Sequence, residues 1–318
     1  MIEVRDLLKY YGERRATGPL SFTIDKGEIV GLLGLNGAGK TTALRVLACD
    51  LLPSSGSVRV DGFDVVDQPH EVRRRIGYLP DTPPLYGEMT VHEYLVFAAR
   101  IRGMSSADAA RRAGVVEEAA QLENVRDDLI SSLSHGFKQR VGIAQAVVHG
   151  PQLLILDEPI SGLDPVQIVE MRQLLRNLRG EHTIVLSSHI LTEISETCDR
   201  ILVLGDGRIV ASGTEAELSK NLAGGAQVEL TVRTSHDARA TALLSAIEGV
   251  RSVAKLAPRE AGPDIVTLRI DAERDVREAV CKALVGADVG LLEMVRSKHE
   301  LESIFLRLTA TQEKEPPS

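Results

Sequence analysis

Apolar and polar residues alternate along Ile2 to Leu8, Leu20 to Ile24 and Ser57 to Val60, the period-two pattern of strands with one buried face. Between them lies an unbroken apolar run, Ile29 to Leu33, and then the helix-like Thr42 to Leu47. Ile76 to Leu79 predicts a short strand stopped by Pro80, with Pro83 and Pro84 just beyond. The chain then reads as helical until about Gly150; Phe137, Val141, Ala144 and Val148 share one face of a helix. After Pro151 the pattern changes to buried strands separated by helices, the alternation of a largely parallel sheet. Strands are expected at Leu153 to Asp157, Thr183 to Ser187 and Arg200 to Leu204, and helices at Gln167 to Leu178 and Ile190 to Cys198. Asp206, Gly207 and Arg208 turn the chain into Ile209 to Ala211.

Composition loosens at Ala223, Gly224, Gly225 and Ala226, which places a boundary there. Beyond it the order is strand (Gln227 to Arg233), helix (Ala238 to Ile247), two strands (Val250 to Leu256, Ile265 to Ile270), helix (Val276 to Leu284) and strand (Val289 to Met294). That βαββαβ order is the ferredoxin-like arrangement. Leu301, Ile304, Phe305 and Leu308 mark a last helical face, and residues 312–318 read as a disordered tail. The expected fold is therefore α/β: a first domain, 1–222, with a mixed sheet, an antiparallel β subdomain and an inserted helical subdomain at about 82–150. A small α+β ferredoxin-like domain, 226–311, follows it.

The candidate chemistry begins at Gly34 to Thr41, GLNGAGKT, between the apolar run and the helix. Strand, glycine-rich loop and helix together aim backbone N–H groups and a helix N-terminus at one point, an arrangement suited to a polyphosphate. Gly34, Asn36, Gly37, Ala38, Gly39, Lys40, Thr41 and Thr42 are the expected nucleotide contacts, with Lys40 on the β/γ-phosphates and the Thr41 hydroxyl on Mg²⁺. Asp157 and Glu158 follow four apolar residues at a strand's carboxyl end, where ligands of open α/β sheets bind. Alone they also read as an acidic turn capped by Pro159. Beside the phosphate loop Asp157 is expected to hold Mg²⁺ and Glu158 to polarise the attacking water.

Charge and composition narrow the partners. The 318 residues carry a formal net charge of -8, which disfavours a general nucleic-acid binder. Three separate cysteines form no metal or redox spacing, and the aromatic content of 3% with no Trp offers little for base stacking. No apolar run reaches the ~18 residues needed to cross a bilayer, so the chain is expected in the cytoplasm.

Leu133 to Arg140, LSHGFKQR, resembles the LSGGQ signature of ABC ATPases and precedes Asp157 as in that family. Ser161 to Asp164 resembles the family's D-loop, His189 its switch histidine, and Tyr11 its adenine-stacking aromatic. With the phosphate loop and the acid pair in the same order, the first domain resembles the ATP-binding subunit of an ABC transporter. The loop around Asp81 and the C-terminal domain resemble the multidrug and gliding-motility exporter branch.

The resemblance implies an ATPase using ATP and Mg²⁺, in which Lys40, Glu158 and His189 are catalytic. Ser134 and Gly136 would complete the γ-phosphate site of a second ATP-binding subunit, itself expected to be an identical copy. A separate integral-membrane permease would be the other partner, at the cytoplasmic face of the cell membrane, with no nucleic acid involved. The sequence departs from the family at His135 and Phe137 in the signature, and at Asp81, where a Gln that senses Mg²⁺ usually stands. Asp81 is expected to keep a metal-linked role. The other readings are a soluble ABC ATPase acting on ribosomes or nucleic acid, and a kinase acting on a metabolite. A single set of motifs and the absence of an inserted coiled coil argue against the first; neither the signature nor His189 is explained by the second.

Overall fold

The computed structural model describes residues 1–222, 226–234, 237–256 and 264–296. The helical face expected at Leu301 to Leu308 and the tail 312–318 lie outside them. Contacts divide the described residues into two compact units, Met1–Thr214 and residues 215–296.

In the first unit, β1 (Ile2–Tyr11) and β2 (Arg14–Ile24) form a hairpin; after it come β3 (Ile29–Gly34), α1 (Lys40–Leu47), β4 (Ser55–Val60) and β5 (Phe63–Asp64). Next are α2 (Pro69–Arg75), β6 (Ile76–Leu79), α3 (Val91–Ile101), α4 (Ser106–Ala119), α5 (His135–Val147) and β7 (Leu153–Leu156). The unit closes with α6 (Pro165–Asn177), β8 (Thr183–Ser188), α7 (Leu191–Ser195), β9 (Arg200–Gly205) and β10 (Arg208–Gly213).

Two sheets organise these elements. The six-stranded sheet has the order β10-β9-β3-β8-β7-β6, parallel except for β10. The antiparallel sheet has the order β2-β1-β4-β5. Strands β3 and β7 are buried along their whole length, as their unbroken apolar runs require. Helix α1 is held in the core between the sheets: Ala43, Leu44, Val46 and Leu47 pack with Val4, Leu7 and Leu20 of the hairpin and with Val30, Leu32 and Ile155 of the parallel sheet. Burying each such side chain is worth about 1.5–3 kcal/mol, which fixes the helix that follows the phosphate loop.

The inserted helices are anchored by backbone proximity. Thr90 and Glu93 form a reciprocal capping box that starts α3. Helix α5 lies directly on β6: a Cβ at Gly77 would fall 2.0 Å from the Ala146 carbonyl oxygen, and one at Gly142 would fall 2.5 Å from Leu79 Cδ1. Only glycine allows that approach.

The second unit contains α8 (Glu215–Leu222), β11 (Ala226–Arg233), α9 (Asp237–Ser245), β12 (Val250–Leu256), β13 (Ile265–Ala272), α10 (Arg277–Gly286) and β14 (Gly290–Arg296). Its sheet has the order β12-β13-β11-β14 with all pairs antiparallel, the ferredoxin-like topology the pattern predicts. Alternate residues Val228, Leu230, Val232, Leu268 and Ile270 face Ala240 and Leu244 of α9 and Val280 and Leu284 of α10.

Candidate functional site

Parallel strands place their carboxyl ends on one edge, and four loops of the chemistry leave from that edge. The phosphate loop follows β3, Asp81 follows β6, Asp157 and Glu158 follow β7, and His189 follows β8. Beside them lies a cavity of about 550 Å³ lined by Tyr11, Arg14, Arg15, Ala16, Asn36, Gly37, Gly39, Lys40, Thr41, Thr42, Asp81, Glu158, Ser161 and His189. The volume falls within the range of ligand sites.

The loop's conformation depends on its glycines. Gly39 sits at φ 95° as the residue preceding α1, and a Cβ there would meet the Ala16 carbonyl oxygen at 2.5 Å. No side chain caps the start of α1, so the N–H groups of its first turn keep their donors for a ligand's anionic oxygens. Lys40, only 5% exposed, donates to the Gly34 carbonyl at 2.8 Å and lies 3.3 Å from Glu158 Oε1. His189 Nδ1 lies 3.0 Å from Glu158 Oε2. One carboxylate thus bridges the lysine and the histidine.

Glu158 reaches this position through a left-handed backbone, φ 49°. Its N–H donates to Ser187 Oγ at 2.9 Å, and the same hydroxyl donates to Asp157 Oδ1 at 2.6 Å. Asp157 is 1% exposed, and burial pushes its carboxyl above the usual range against the Ser187 hydrogen bond and the nearby Thr41 hydroxyl; the charges of Glu158 and Asp81 push the same way as burial. Its Oδ2 has no hydrogen-bond partner. A buried carboxylate oxygen left open beside the Thr41 hydroxyl is the donor set of a hard, oxygen-seeking cation. Among the described residues, no three His, Cys, Asp or Glu side chains converge on one point, so such an ion would share its shell with phosphate oxygens and water.

Three sequence-predicted residues hold the site from outside the cavity lining: Gly34 and Ala38 form the buried root of the loop, and Asp157 lies beneath Thr41. Ser134 and Gly136 are elsewhere, at the start of α5. Ser134 caps that helix, accepting from the Phe137 N–H, and Gly136 is covered by the Gln167 side chain of α6. His135 replaces a family glycine with a contact: its Nε2 lies 3.1 Å from the Ser161 carbonyl, joining the signature to a residue of the cavity wall. Arg14, Arg15 and Ala16 were not expected. The hairpin runs past the strand ends anticipated at Leu8 and Leu20, and its register sets Arg14 opposite Tyr11 and Arg15 opposite Tyr10. Arg15 is tied to Asp206 at 3.1 Å. Tyr11 stands 48% exposed at the cavity margin, with Lys9 Nζ over its ring at 5.5 Å from the centroid.

Comparison with known proteins extends over both units. A family model described as "ABC transporter" matches residues 17–161. The linearmycin resistance ATP-binding protein LnrL of Bacillus subtilis is 31% identical over 97% of this chain and 98% of its own length. The daunorubicin/doxorubicin resistance ATP-binding protein DrrA of Streptomyces peucetius is 36% identical over 97% of this chain and 92% of its own. A solved structure of an ATP-binding subunit of an ABC transporter superposes with a TM-score of 0.63 at 35% identity, covering 70% of this chain and 92% of that one. A dimeric post-hydrolysis state of the ATP-binding cassette MJ0796, bound to ADP and Pi, gives a TM-score of 0.62 at 27% identity over 67% of this chain and 98% of that one.

Proposed function

The chain belongs to the ATP-binding subunits of ABC transporters, and from that premise we propose that it hydrolyses MgATP between two copies of itself to drive a separate membrane-embedded exporter subunit at the cytoplasmic face. The observation that carries the reading is Glu158, held between Lys40 and His189 at the base of the phosphate-loop cavity.

Tyr11 stacks on the adenine, while Asn36, Gly37, Gly39 and the first turn of α1 surround the phosphates. Lys40 leaves Glu158 for the β/γ-phosphate oxygens as the nucleotide enters. Thr41 and Asp157 would hold a Mg²⁺ ion, with Asp81 at the margin of that site, and the ion would supply charge neutralisation for the phosphate oxygens. Glu158, freed from Lys40, accepts the proton of the attacking water, a role worth ~10²–10⁴ in rate. His189 donates to the γ-phosphate and keeps that water in line. Ser134 and Gly136 of the second copy close the site, which makes hydrolysis depend on dimerisation.

The names of the two full-length relatives, both for resistance to a toxic compound, support export as the direction of the work. Among the described residues no helix is long and apolar enough to cross a membrane. The test is isolation of a tagged Glu158→Gln form from detergent-solubilised membranes in the presence of ATP. Co-purification of a multi-span membrane protein is the expected result. Recovery of ribosomes or nucleic acid instead would overturn the exporter proposal.

A further inference from the structure

Behind His189 lies a buried acid that the mechanism above does not use. Ser187 and Ser188, consecutive on β8, point to opposite sides, as strand geometry dictates. Ser187 serves Asp157 and Glu158, just after β7. Ser188, 2% exposed, accepts from the Ile190 N–H at 3.0 Å and donates to the carboxylate of Glu193, itself 4% exposed in α7. The two bonds of Ser188 therefore clamp the backbone on both sides of His189.

The far end of this clamp is also fixed. Arg172 of α6 pairs with Glu196 and donates to the Thr192 carbonyl at 3.4 Å, and Arg176 donates to the Glu196 carbonyl. Helix α7 has only five residues and would be marginal alone. Pinned to α6 at one end and to Ser188 at the other, it is a fixed strut behind the histidine. Desolvation of a carboxylate is costly, and replacing a buried polar contact by apolar packing is often neutral or stabilising. An acid buried there is therefore poorly explained by stability alone.

We propose that Glu193 is a positioning residue for hydrolysis: through Ser188 it sets the turn that presents His189 to Glu158 and to the γ-phosphate. The inference rests on the assignment of His189 and Glu158 given above. It requires an acceptor at residue 193, not a negative charge, because the Ser188 hydroxyl donates. Glutamine should therefore serve and alanine should not.

The experiment measures ATP affinity and single-turnover hydrolysis for wild type and for Glu193→Ala, Glu193→Gln, Ser188→Ala, His189→Ala and the double variant Glu193→Ala/His189→Ala. Displacing a catalytic group by about 1 Å can cost on the order of 10²-fold, so Glu193→Ala and Ser188→Ala should each slow hydrolysis by roughly ten- to hundredfold. ATP affinity should stay within about twofold, because the phosphate loop is untouched, and Glu193→Gln should restore most of the rate. In the His189→Ala background, Glu193→Ala should add nothing, since the group it positions is gone. Equal slowing in both backgrounds, or full activity of Glu193→Ala and Ser188→Ala, would overturn the proposal. If Glu193→Ala does not fold, Ser188→Ala breaks the same link and decides alone. A wild-type chain that fails to hydrolyse ATP, or a His189→Ala variant as fast as wild type, would instead overturn the underlying assignment.

Discussion

Replacing Glu158 by glutamine should separate binding from chemistry. The side chain keeps its shape and loses the charge that now pairs with Lys40 at 3.3 Å, where the two side chains are 5% and 13% exposed. At an effective dielectric of about 20, that separation corresponds to a gross attraction of roughly 5 kcal/mol, part of which is offset by desolvation of the two ions. If Lys40 serves the γ-phosphate as proposed, an entering γ-phosphate competes with Glu158 for it, and the wild type must break this pair first. If as little as ~1.4 kcal/mol of the pair is returned to binding, ATP affinity rises about tenfold. Hydrolysis, deprived of its base, should fall by ~10²–10⁴. The two quantities are read by calorimetric titration with ATP and by phosphate release. ADP, which lacks the competing γ-phosphate, should gain less than ATP. ATP binding no tighter to the variant than to wild type, with hydrolysis lost, would show that the pair does not stand between Lys40 and the nucleotide.

Two further outcomes test the frame around the site. Gly39→Ala places a Cβ 2.5 Å from the Ala16 carbonyl oxygen at a φ of +95°; the left-handed backbone alone costs about 1–2 kcal/mol, so both the melting temperature and its rise with ATP should drop. A variant that melts and responds to ATP like wild type would show that the loop can relax. His149 donates from Nε2 to the Ile76 carbonyl at 3.0 Å, and burial, reinforced by Arg102, His182 and Arg112, pushes its pKa down to about 4. Because the unfolded chain then binds the proton first, stability is complete above the ordinary value near 6.5 and is lost as pH falls towards 4, on the order of 3 kcal/mol in all. Denaturant titrations at pH 7 and pH 4.5 should show a smaller loss for His149→Gln than for wild type.

Much of this architecture can be read from the residues because local and global requirements agree. The unbroken apolar runs of β3 and β7 can satisfy themselves only inside a sheet, and GLNGAGKT between strand and helix admits few alternatives. The ferredoxin-like order of the second unit is likewise legible from alternating strands. What escaped was set by register and tertiary contact. Arg14 and Arg15 reach the cavity only because the first hairpin is longer than its apolar pattern, whose outer half is polar on both faces. Cys198, read as the end of a helix, follows it instead: α7 stops at Ser195. The contact of His135 with Ser161 depends on how α5 and the loop before α6 approach each other, which no periodicity encodes. The role of Glu193 is hidden for the same reason, since an acid on a short helix looks like a solvated residue until its burial is known.

The position of β3 also bears on the order in which the chain can be assembled. This strand is made early, yet its partners in the parallel sheet are β8, from Thr183, and β9, from Arg200. At ~5–20 residues per second, a growing chain waits on the order of ten seconds or more between making the nucleotide loop and making the strands that hold it. Hairpin β1–β2 can form in microseconds meanwhile, and the helices between β6 and β7 can condense locally. Competence to bind nucleotide is thus withheld until most of the first unit has emerged, and a nascent fragment ending before Thr183 would display GLNGAGKT without a rigid strand beneath it.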